Sequence, residues 1–143
     1  MKSIVTGGAG FIGSHLVDGL LDLGHEVVVL DNFSTGRKEN LDHVKGKIKL
    51  VKCDLSNKGN WIKEFKNVDW VFHLASLADI VPSIQNPESY FRSNVDATFY
   101  VLEAARHNNI KRFVYSASSS CYGIPEKYPT PEESDIQPQY PYA

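Results

Sequence analysis

The sequence predicts an α/β protein built on a doubly wound parallel sheet, and two observations lead to this fold class. Short apolar runs typical of buried strands alternate with longer segments in which apolar residues recur every three or four positions. A glycine-rich segment connects the first of these runs to the first helical segment. Strands that alternate with helices pair in parallel through right-handed crossovers, which places helices on both faces of one sheet.

The first predicted elements are a strand, a helix and a second strand. Residues 3–5 form a short run typical of a buried strand, and residues 11–23 carry apolar side chains at helical spacing. Gly24 stands where a helix-ending glycine belongs. Residues 27–30 are apolar throughout, as expected of a strand that is buried on both faces. His25 lies between this helix and this strand, and we expect it to be a solvated loop residue.

The remaining predicted elements follow the same alternation. Residues 48–51 predict a third strand near an edge, residues 61–65 a short helix and residues 68–74 a fourth strand. Pro87 suits the first turn of a long helix over residues 88–108, which has apolar residues on two faces. Residues 113–115 predict a fifth strand. Five of the seven prolines fall in residues 124–143, which therefore form neither a regular helix nor a central strand.

Composition and charge exclude several classes of protein. The 143 residues are enough to form the hydrophobic core of one domain. The net charge of −2 provides no excess of basic residues for binding nucleic acid or an anionic membrane. No apolar run approaches the ~20 residues of a membrane span, and no signal-peptide pattern is present. The two cysteines, Cys53 and Cys121, show no metal-ligand spacing. The sequence predicts a cytoplasmic domain that binds no nucleic acid, membrane or metal.

The glycines at positions 7, 10 and 13 predict a phosphate-binding loop. They lie between the first predicted strand and the first predicted helix, where a Cβ would hold a phosphate away from the backbone amides. The N-terminus of the following helix supplies unpaired N–H groups and partial positive charge for a pyrophosphate. Gly13, one turn into this helix, lets the helix lie close to the sheet.

An acidic residue at the end of the second strand strengthens this interpretation. Asp31 stands eighteen residues after Gly13, the placement expected of a carboxylate that accepts hydrogen bonds from an adenosine ribose. A carboxylate there repels a 2′-phosphate, so the sequence favours NAD over NADP. Arg37 and Lys38 stand nearby and leave NADP open as the alternative.

Residues 6–15 read TGGAGFIGSH, which resembles the extended short-chain dehydrogenase/reductase family. Within this family the chain is most similar to the nucleotide-sugar 4-epimerases that act on UDP-glucose and UDP-N-acetylglucosamine. Further segments agree with the family in order and spacing, and together they span nearly the whole chain. They are residues 31–36 (DNFSTG), 53–55 (CDL), 73–76 (HLAS), 94–95 (NV), 118–120 (SSS) and 122–123 (YG).

The resemblance implies a Rossmann-type domain over residues 1–143 that binds NAD. It implies that Asp54 and Leu55 flank the adenine, that residues 74–76 line the path of the pyrophosphate and nicotinamide, and that Asn94 points polar atoms towards the cofactor. Taken singly, Asp54 is better interpreted as a helix or turn cap and Asn94 as a solvated helix residue. The implied cofactor-binding residues are Gly7, Gly10, Phe11, Ile12, Gly13, Asp31, Asn32, Ser34, Thr35, Gly36, Asp54, Leu55, Leu74, Ala75, Ser76 and Asn94.

The resemblance also implies the catalytic residues. Tyr142 matches the start of the family's Tyr-x-x-x-Lys motif, and Ser118 matches the hydroxyl that binds the sugar 4-oxygen. Ser118, Ser119 and Ser120 are the implied substrate contacts. The lysine position falls three residues beyond Ala143, and the substrate domain of relatives is absent. We therefore expect an N-terminal, cofactor-binding part that is inactive alone.

The implied reaction is epimerisation at carbon 4 of a UDP-hexose through transient hydride transfer to NAD. A nucleotide-sugar dehydratase of the same family is an alternative, although residues 119–121 lack the acid that such enzymes place after the serine. A non-enzymatic dinucleotide-binding module is a second alternative. The resemblance further implies a homodimer for a full-length enzyme, while dimerisation of residues 1–143 alone is doubtful.

Overall fold

Five parallel strands form a single sheet in the computed structural model, which describes residues 1–143. The strands are β1 (Lys2–Thr6), β2 (Glu26–Asp31), β3 (Ile48–Lys52), β4 (Trp70–His73) and β5 (Arg112–Tyr115). They lie side by side in the order β3-β2-β1-β4-β5, and every neighbouring pair is parallel. This order confirms the predicted doubly wound sheet.

The helices differ from the predicted ones in their number and type. The predicted helix over residues 88–108 consists of two α-helices joined by a π-helical segment, and the predicted helix at residues 61–65 is a 3₁₀ segment. The pattern missed three short helical segments, which are Lys38–Val44, Ile80–Gln85 and Ser119–Tyr122. The α-helices are α1 (Phe11–Asp22), α2 (Ile80–Gln85), α3 (Pro87–Tyr90) and α4 (Ala97–His107). The other helical segments are Lys38–Val44, Asn60–Phe65, Ser119–Tyr122 (all 3₁₀) and Phe91–Asp96 (π).

Two hydrophobic cores cover opposite faces of the sheet. Alternate side chains of each strand enter alternate cores, so that Ile4 and Val28 face one core while Val5 and Val29 face the other. The first core packs against α4 and the segment Asn60–Phe65, and the second packs against α1 and the segment Lys38–Val44. This three-layer arrangement explains why the central strands are apolar on both faces.

The crevice of the fold lies where the strand order reverses. β1 and β4 are neighbours in the sheet although β2 and β3 separate them in the chain. The helix that follows β1 packs on one face of the sheet, and the helix that precedes β5 packs on the other. The segments that leave β1 and β4 therefore diverge, which opens a crevice at the carboxyl ends of the strands.

Residues 124–143 contain no helix or strand, as the prolines predict, and they fold back towards β5. The N–H of Gln137 donates to the carbonyl of Cys121 at 2.8 Å. Gly123 has a φ of 63°, and a Cβ at this position would lie 2.4 Å from the carbonyl oxygen of Gln137. The chain turns back at this glycine, and near its end Tyr142 packs edge-on against Tyr90 of the helical segment Pro87–Tyr90.

The prediction that His25 is a solvated loop residue is wrong. His25 is 6% exposed, and its Nδ1 lies 2.8 Å from the hydroxyl of Ser3. Its ring packs edge-on against Trp70 of β4. None of the helices combines the length and the apolar character that crossing a membrane requires.

Candidate dinucleotide cleft and adjoining cavity

A cleft of about 410 Å³ opens at the carboxyl ends of β1, β2, β4 and β5. Fifteen of the sixteen residues predicted to bind the cofactor line it, and the exception is Asn94. The fold therefore brings together predicted residues that stand up to 69 positions apart in the sequence. The fifteen residues are Gly7, Gly10, Phe11, Ile12, Gly13, Asp31, Asn32, Ser34, Thr35, Gly36, Asp54, Leu55, Leu74, Ala75 and Ser76.

The glycine loop folds into a compact cradle at the N-terminus of α1. Gly7 has a φ of 67°, and its carbonyl accepts the N–H of Gly10 at 3.1 Å. A Cβ on Gly13 would lie 2.3 Å from the carbonyl oxygen of Gly7, so a side chain there would force the loop and the helix apart. No side chain caps α1, which leaves the N–H groups of its first turn available to a ligand. This cradle fits the pyrophosphate of a dinucleotide.

Asp31 is buried at the end of β2 and fixes the shape of the cleft. Its Oδ2 accepts the N–H of Ala9 at 2.9 Å, and its Oδ1 accepts the N–H of Phe33 at 2.7 Å. The side chain is 6% exposed and faces the cleft. Each carboxylate oxygen retains a second lone pair, so Asp31 is able to accept further hydrogen bonds from a ribose.

The basic residues that left NADP open lie outside the cleft. Neither Arg37 nor Lys38 lines it. The Nζ of Lys38 lies 5.3 Å from the centre of the Phe33 ring, which is a cation–π distance. The charged group that lines the cleft at the end of β2 is therefore the carboxylate of Asp31.

Asp54 both closes a turn and lines the cleft. It accepts hydrogen bonds from the backbone N–H and hydroxyl of Ser56, at 2.9 and 2.8 Å, and from the amide of Asn57 at 3.2 Å. Partial burial acts to raise the pKa of Asp54, but these hydrogen bonds and the charge of Arg92 hold it below its usual value. The turn-cap interpretation is thus correct, and it leaves the carboxylate ionised beside the cleft.

Asn94 orders the loop that follows β4. Its side-chain oxygen accepts the N–H of Leu77 at 2.8 Å, and its side-chain amide donates to the carbonyl of Leu77 at 3.0 Å. The residue lines the adjoining cavity and not the cleft itself. Direct contact between Asn94 and a cofactor stays a prediction, whereas its contact with the cleft wall is observed.

A second cavity of about 660 Å³ adjoins the cleft. Ser118 and Cys121 line this cavity, and Ser119 and Ser120 line neither space. The hydroxyl of Ser118 accepts the N–H of Ser120 at 3.2 Å and still has a proton to donate. The residues that line both spaces are Ser76, Ser116, Ala117 and Tyr142.

Sequence reasoning missed part of the cleft wall. Ser116 and Ala117 directly follow β5, and the rule that ligands bind at the carboxyl ends of parallel strands gives a signal for them. Ser93 lies in the π-helical segment, whose position has no pattern in the sequence. The other missed residues are Leu77, Ala78 and Ala97.

The chain matches the family described as "NAD dependent epimerase/dehydratase family" over residues 3–143. The chain belongs to this family. Its membership confirms the resemblance found in the sequence, and the family's description agrees with the predicted NAD cofactor.

Individual relatives within the family are similar along the whole chain. A UDP-glucose 4-epimerase of Mycolicibacterium smegmatis is 41% identical over 148 aligned residues, which cover 100% of this chain and 47% of the relative. A solved UDP-N-acetylglucosamine 4-epimerase of Methanobrevibacter ruminantium has a TM-score of 0.91 at 39% identity, covering 99% of this chain and 45% of its own. A UDP-glucose 4-epimerase of Bifidobacterium longum, solved with NAD+ and UDP, has a TM-score of 0.90 at 31% identity. The match covers 99% of this chain and 44% of that relative. The chain thus spans less than half of the length of these relatives.

Proposed function

We propose that the complete protein is an NAD-dependent epimerase acting at carbon 4 of a UDP-hexose, and that residues 1–143 are its dinucleotide-binding domain. The observation that carries this proposal is the position of Tyr142, which lines both the glycine-loop cleft and the adjoining cavity. A phenol at this junction would be able to contact a cofactor in one space and a sugar in the other. The names of the relatives support the same activity.

The cleft residues suggest how NAD would be held. The cradle of Gly7, Gly10 and Gly13 would bind the pyrophosphate, and Asp31 would accept hydrogen bonds from the adenosine ribose. Asp54 would accept a hydrogen bond from the exocyclic amine of the adenine. The segment after β4 and the segment after β5 then flank the remaining part of the cleft, where the nicotinamide would lie beside Tyr142.

When it is bound, the nicotinamide supplies a hydride acceptor and donor for carbon 4 of the sugar. In this proposal Tyr142 accepts the proton of the sugar 4-hydroxyl and later returns it. A free tyrosine has a pKa of about 10, so Tyr142 needs a nearby positive charge to act as a base at neutral pH. In the family's motif a lysine four residues later supplies this charge, at a position beyond residue 143.

Ser118 would assist Tyr142 from the wall of the second cavity. It lines the cavity beside Tyr142, and its hydroxyl has one proton to donate to the sugar 4-oxygen. The proposed roles of Ser119 and Ser120 as substrate contacts require a movement of their side chains towards this cavity, because neither lines it.

The test is conversion of UDP-glucose to UDP-galactose by the complete protein. We expect turnover in the wild type and a loss of about 10²- to 10⁴-fold in kcat for Tyr142→Phe, with little change in NAD affinity. Tyr128→Phe is the matched control, since Tyr128 is 74% exposed and lines neither space. An unchanged kcat in Tyr142→Phe would remove Tyr142 from the proposal. Formation of a 4-keto-6-deoxy sugar would assign the dehydratase activity instead.

We also propose that the complete protein is a cytoplasmic homodimer. Two neighbouring helical segments present an apolar stripe formed by Phe91, Val95, Phe99 and Leu102, which are 46 to 57% exposed. Phe91 and Val95 also line the second cavity, so Phe99 and Leu102 are the residues of the stripe that lie outside both spaces. An apolar stripe of this kind favours association with another helical surface. Both cysteines are free thiols, as is usual in a reducing compartment. Light scattering of the complete protein and of Phe99→Asp tests the dimer, which the substitution should dissociate.

A further inference from the structure

A chain of hydrogen-bonded groups crosses the core beneath the cleft, between β1, β4 and α4. The hydroxyl of Thr6 lies 2.7 Å from His73 Nδ1, and His73 Nε2 lies 2.9 Å from the hydroxyl of Thr98. The Thr98 hydroxyl donates to the backbone carbonyl of Asn94 at 2.5 Å. Thr6 and His73 are 0% and 1% exposed. Thr6, His73 and Thr98 line neither the cleft nor the adjoining cavity.

The carbonyl of Asn94 sets the direction of every proton in this chain. A carbonyl oxygen only accepts hydrogen bonds, so the hydroxyl of Thr98 donates to it and must accept from His73. His73 therefore carries its proton on Nε2, and its Nδ1 accepts from Thr6. Burial lowers the pKa of His73 to about 4, which keeps the ring neutral at neutral pH.

At the other end of this series of hydrogen bonds, Thr6 connects two walls of the cleft, the glycine loop and the segment that follows β4. Its hydroxyl gives its one proton to His73, and its oxygen accepts the N–H groups of Leu74 and Ala75, each at 3.1 Å. Gly7 follows Thr6 directly and begins the glycine loop. A Cβ on Gly7 would lie 2.8 Å from the nitrogen of Ala75, so the two walls touch at this point. The backbone carbonyl of Thr6 also accepts the N–H of Leu74 at 3.2 Å, so the N–H of Ala75 is the group that depends on the Thr6 hydroxyl alone.

We propose that His73 is a positioning residue of the dinucleotide cleft, which acts as the neutral Nε2–H tautomer to orient the hydroxyl of Thr6. The opposite tautomer would donate to Thr6, whose oxygen already accepts two backbone N–H groups. The N–H of Leu74 could still donate to the backbone carbonyl of Thr6, so the N–H of Ala75 would lose its acceptor, and an unpaired donor in this part-buried position is costly. The inference rests on the proposed function, since it takes the cleft to be the NAD site.

The tautomer is measurable in the absence of any cofactor. Two-bond proton–nitrogen correlation spectra of the complete protein, labelled with ¹⁵N-histidine, distinguish the two neutral tautomers from the charged ring. The signal of His73 is the one that disappears in His73→Gln. We expect the Nε2–H tautomer at about pH 7. A ring protonated on Nδ1, or on both nitrogens, overturns the proposal.

A pair of substitutions at Thr98 tests the effect on the cleft. Thr98→Val keeps the shape of the side chain and removes the acceptor of the His73 Nε2–H, whereas Thr98→Ser keeps the hydroxyl. We expect Thr98→Val to weaken NAD binding about tenfold in calorimetric titration, and Thr98→Ser to stay within about twofold of the wild type. A purely structural role would lower the unfolding free energy of Thr98→Val and leave its NAD affinity unchanged. That result overturns the proposal.

The outcomes separate this inference from the proposed function. If the wild type does not bind NAD, the proposed function fails and the positioning role fails with it. If the wild type binds NAD and Thr98→Val binds it equally well, the positioning role alone fails. Should Thr98→Val not fold, the same comparison is made between Thr6→Val and Thr6→Ser, with the tautomer measurement on the wild type as the independent criterion.

Discussion

The carboxylate of Asp31 accepts the backbone N–H of Ala9, with 2.9 Å between Oδ2 and the nitrogen. This hydrogen bond joins the end of β2 to the glycine loop and holds the acid at the edge of the cleft. A carboxylate placed in this way orders the loop before any ligand arrives, so less ordering remains to be done on binding. The same charge opposes a 2′-phosphate.

Replacing Asp31 with asparagine should weaken NAD binding and reduce the preference for NAD over NADP. The side-chain amide of asparagine would meet one of the two backbone N–H groups that the carboxylate now accepts, and the charge would be lost. We expect the NAD affinity to fall about tenfold or more in calorimetric titration, with a smaller fall for NADP. Asp22→Asn makes the same chemical change at an exposed position and should leave both affinities unchanged. Tighter binding of NADP than NAD by the wild type would contradict the role given to Asp31.

Two glycines of α1 should respond in opposite ways to substitution by alanine. A Cβ on Gly13 would lie 2.3 Å from the carbonyl oxygen of Gly7 and 2.7 Å from the Cα of Gly8, which are backbone atoms that cannot move aside cheaply. A Cβ on Gly19 would meet nothing within 4 Å. We expect Gly13→Ala to lower the unfolding free energy by about 2 kcal/mol or more, and Gly19→Ala to raise it by about 0.5–1 kcal/mol.

Urea unfolding monitored by circular dichroism measures both changes. Because the two substitutions add the same methyl group to the same helix, the difference between them reports the close contact with the glycine loop. Equal effects of the two substitutions would show that α1 does not need to approach the loop as closely as the structure has it.

The amide of Asn94 should be required for NAD binding through the loop that it holds. Asn94→Asp keeps the acceptor for the N–H of Leu77 but places a carboxylate oxygen against the carbonyl of Leu77, where the amide now donates. We expect NAD affinity to fall about tenfold. Asn108→Ala removes a single amide-to-carbonyl bond at the other end of α4 and should leave the affinity unchanged. An unaltered NAD affinity in Asn94→Asp would argue that the loop has no influence on the cleft.

The strands and α1 were predictable because their patterns have one physical interpretation. Residues 27–30 are apolar throughout, and in the structure Val28 and Leu30 enter one core while Val27 and Val29 enter the other. The sites that line the cleft were predictable for a related reason. The glycine loop and Asp31 must both reach the carboxyl ends of neighbouring strands, whatever packs around them.

Other features depend on contacts between distant residues and left no local pattern. His25 has the neighbours of a loop residue in sequence, but Ser3 and Trp70 bury it from two other strands. The π-helical segment Phe91–Asp96 continues the helical spacing of its flanks, so the pattern predicts a regular helix through it. The pairing of Asn94 with Leu77 is likewise a tertiary contact, which no local pattern in the sequence could indicate.

The buried ring of His73 should make the protein less stable in mild acid. Burial lowers its pKa to about 4 in the folded state, against about 6.5 in the unfolded chain. Between these two values the unfolded state binds a proton that the folded state does not, so the unfolding free energy rises with pH across this window. As the pH falls from about 6.5 to about 4, His73 should cost the folded state about 3 kcal/mol. Urea unfolding at several pH values between about 4 and 6.5 measures this dependence. The rise of the unfolding free energy with pH should disappear in His73→Gln and persist in His15→Gln, whose side chain is exposed. An equal rise in both variants would mean that another group is responsible.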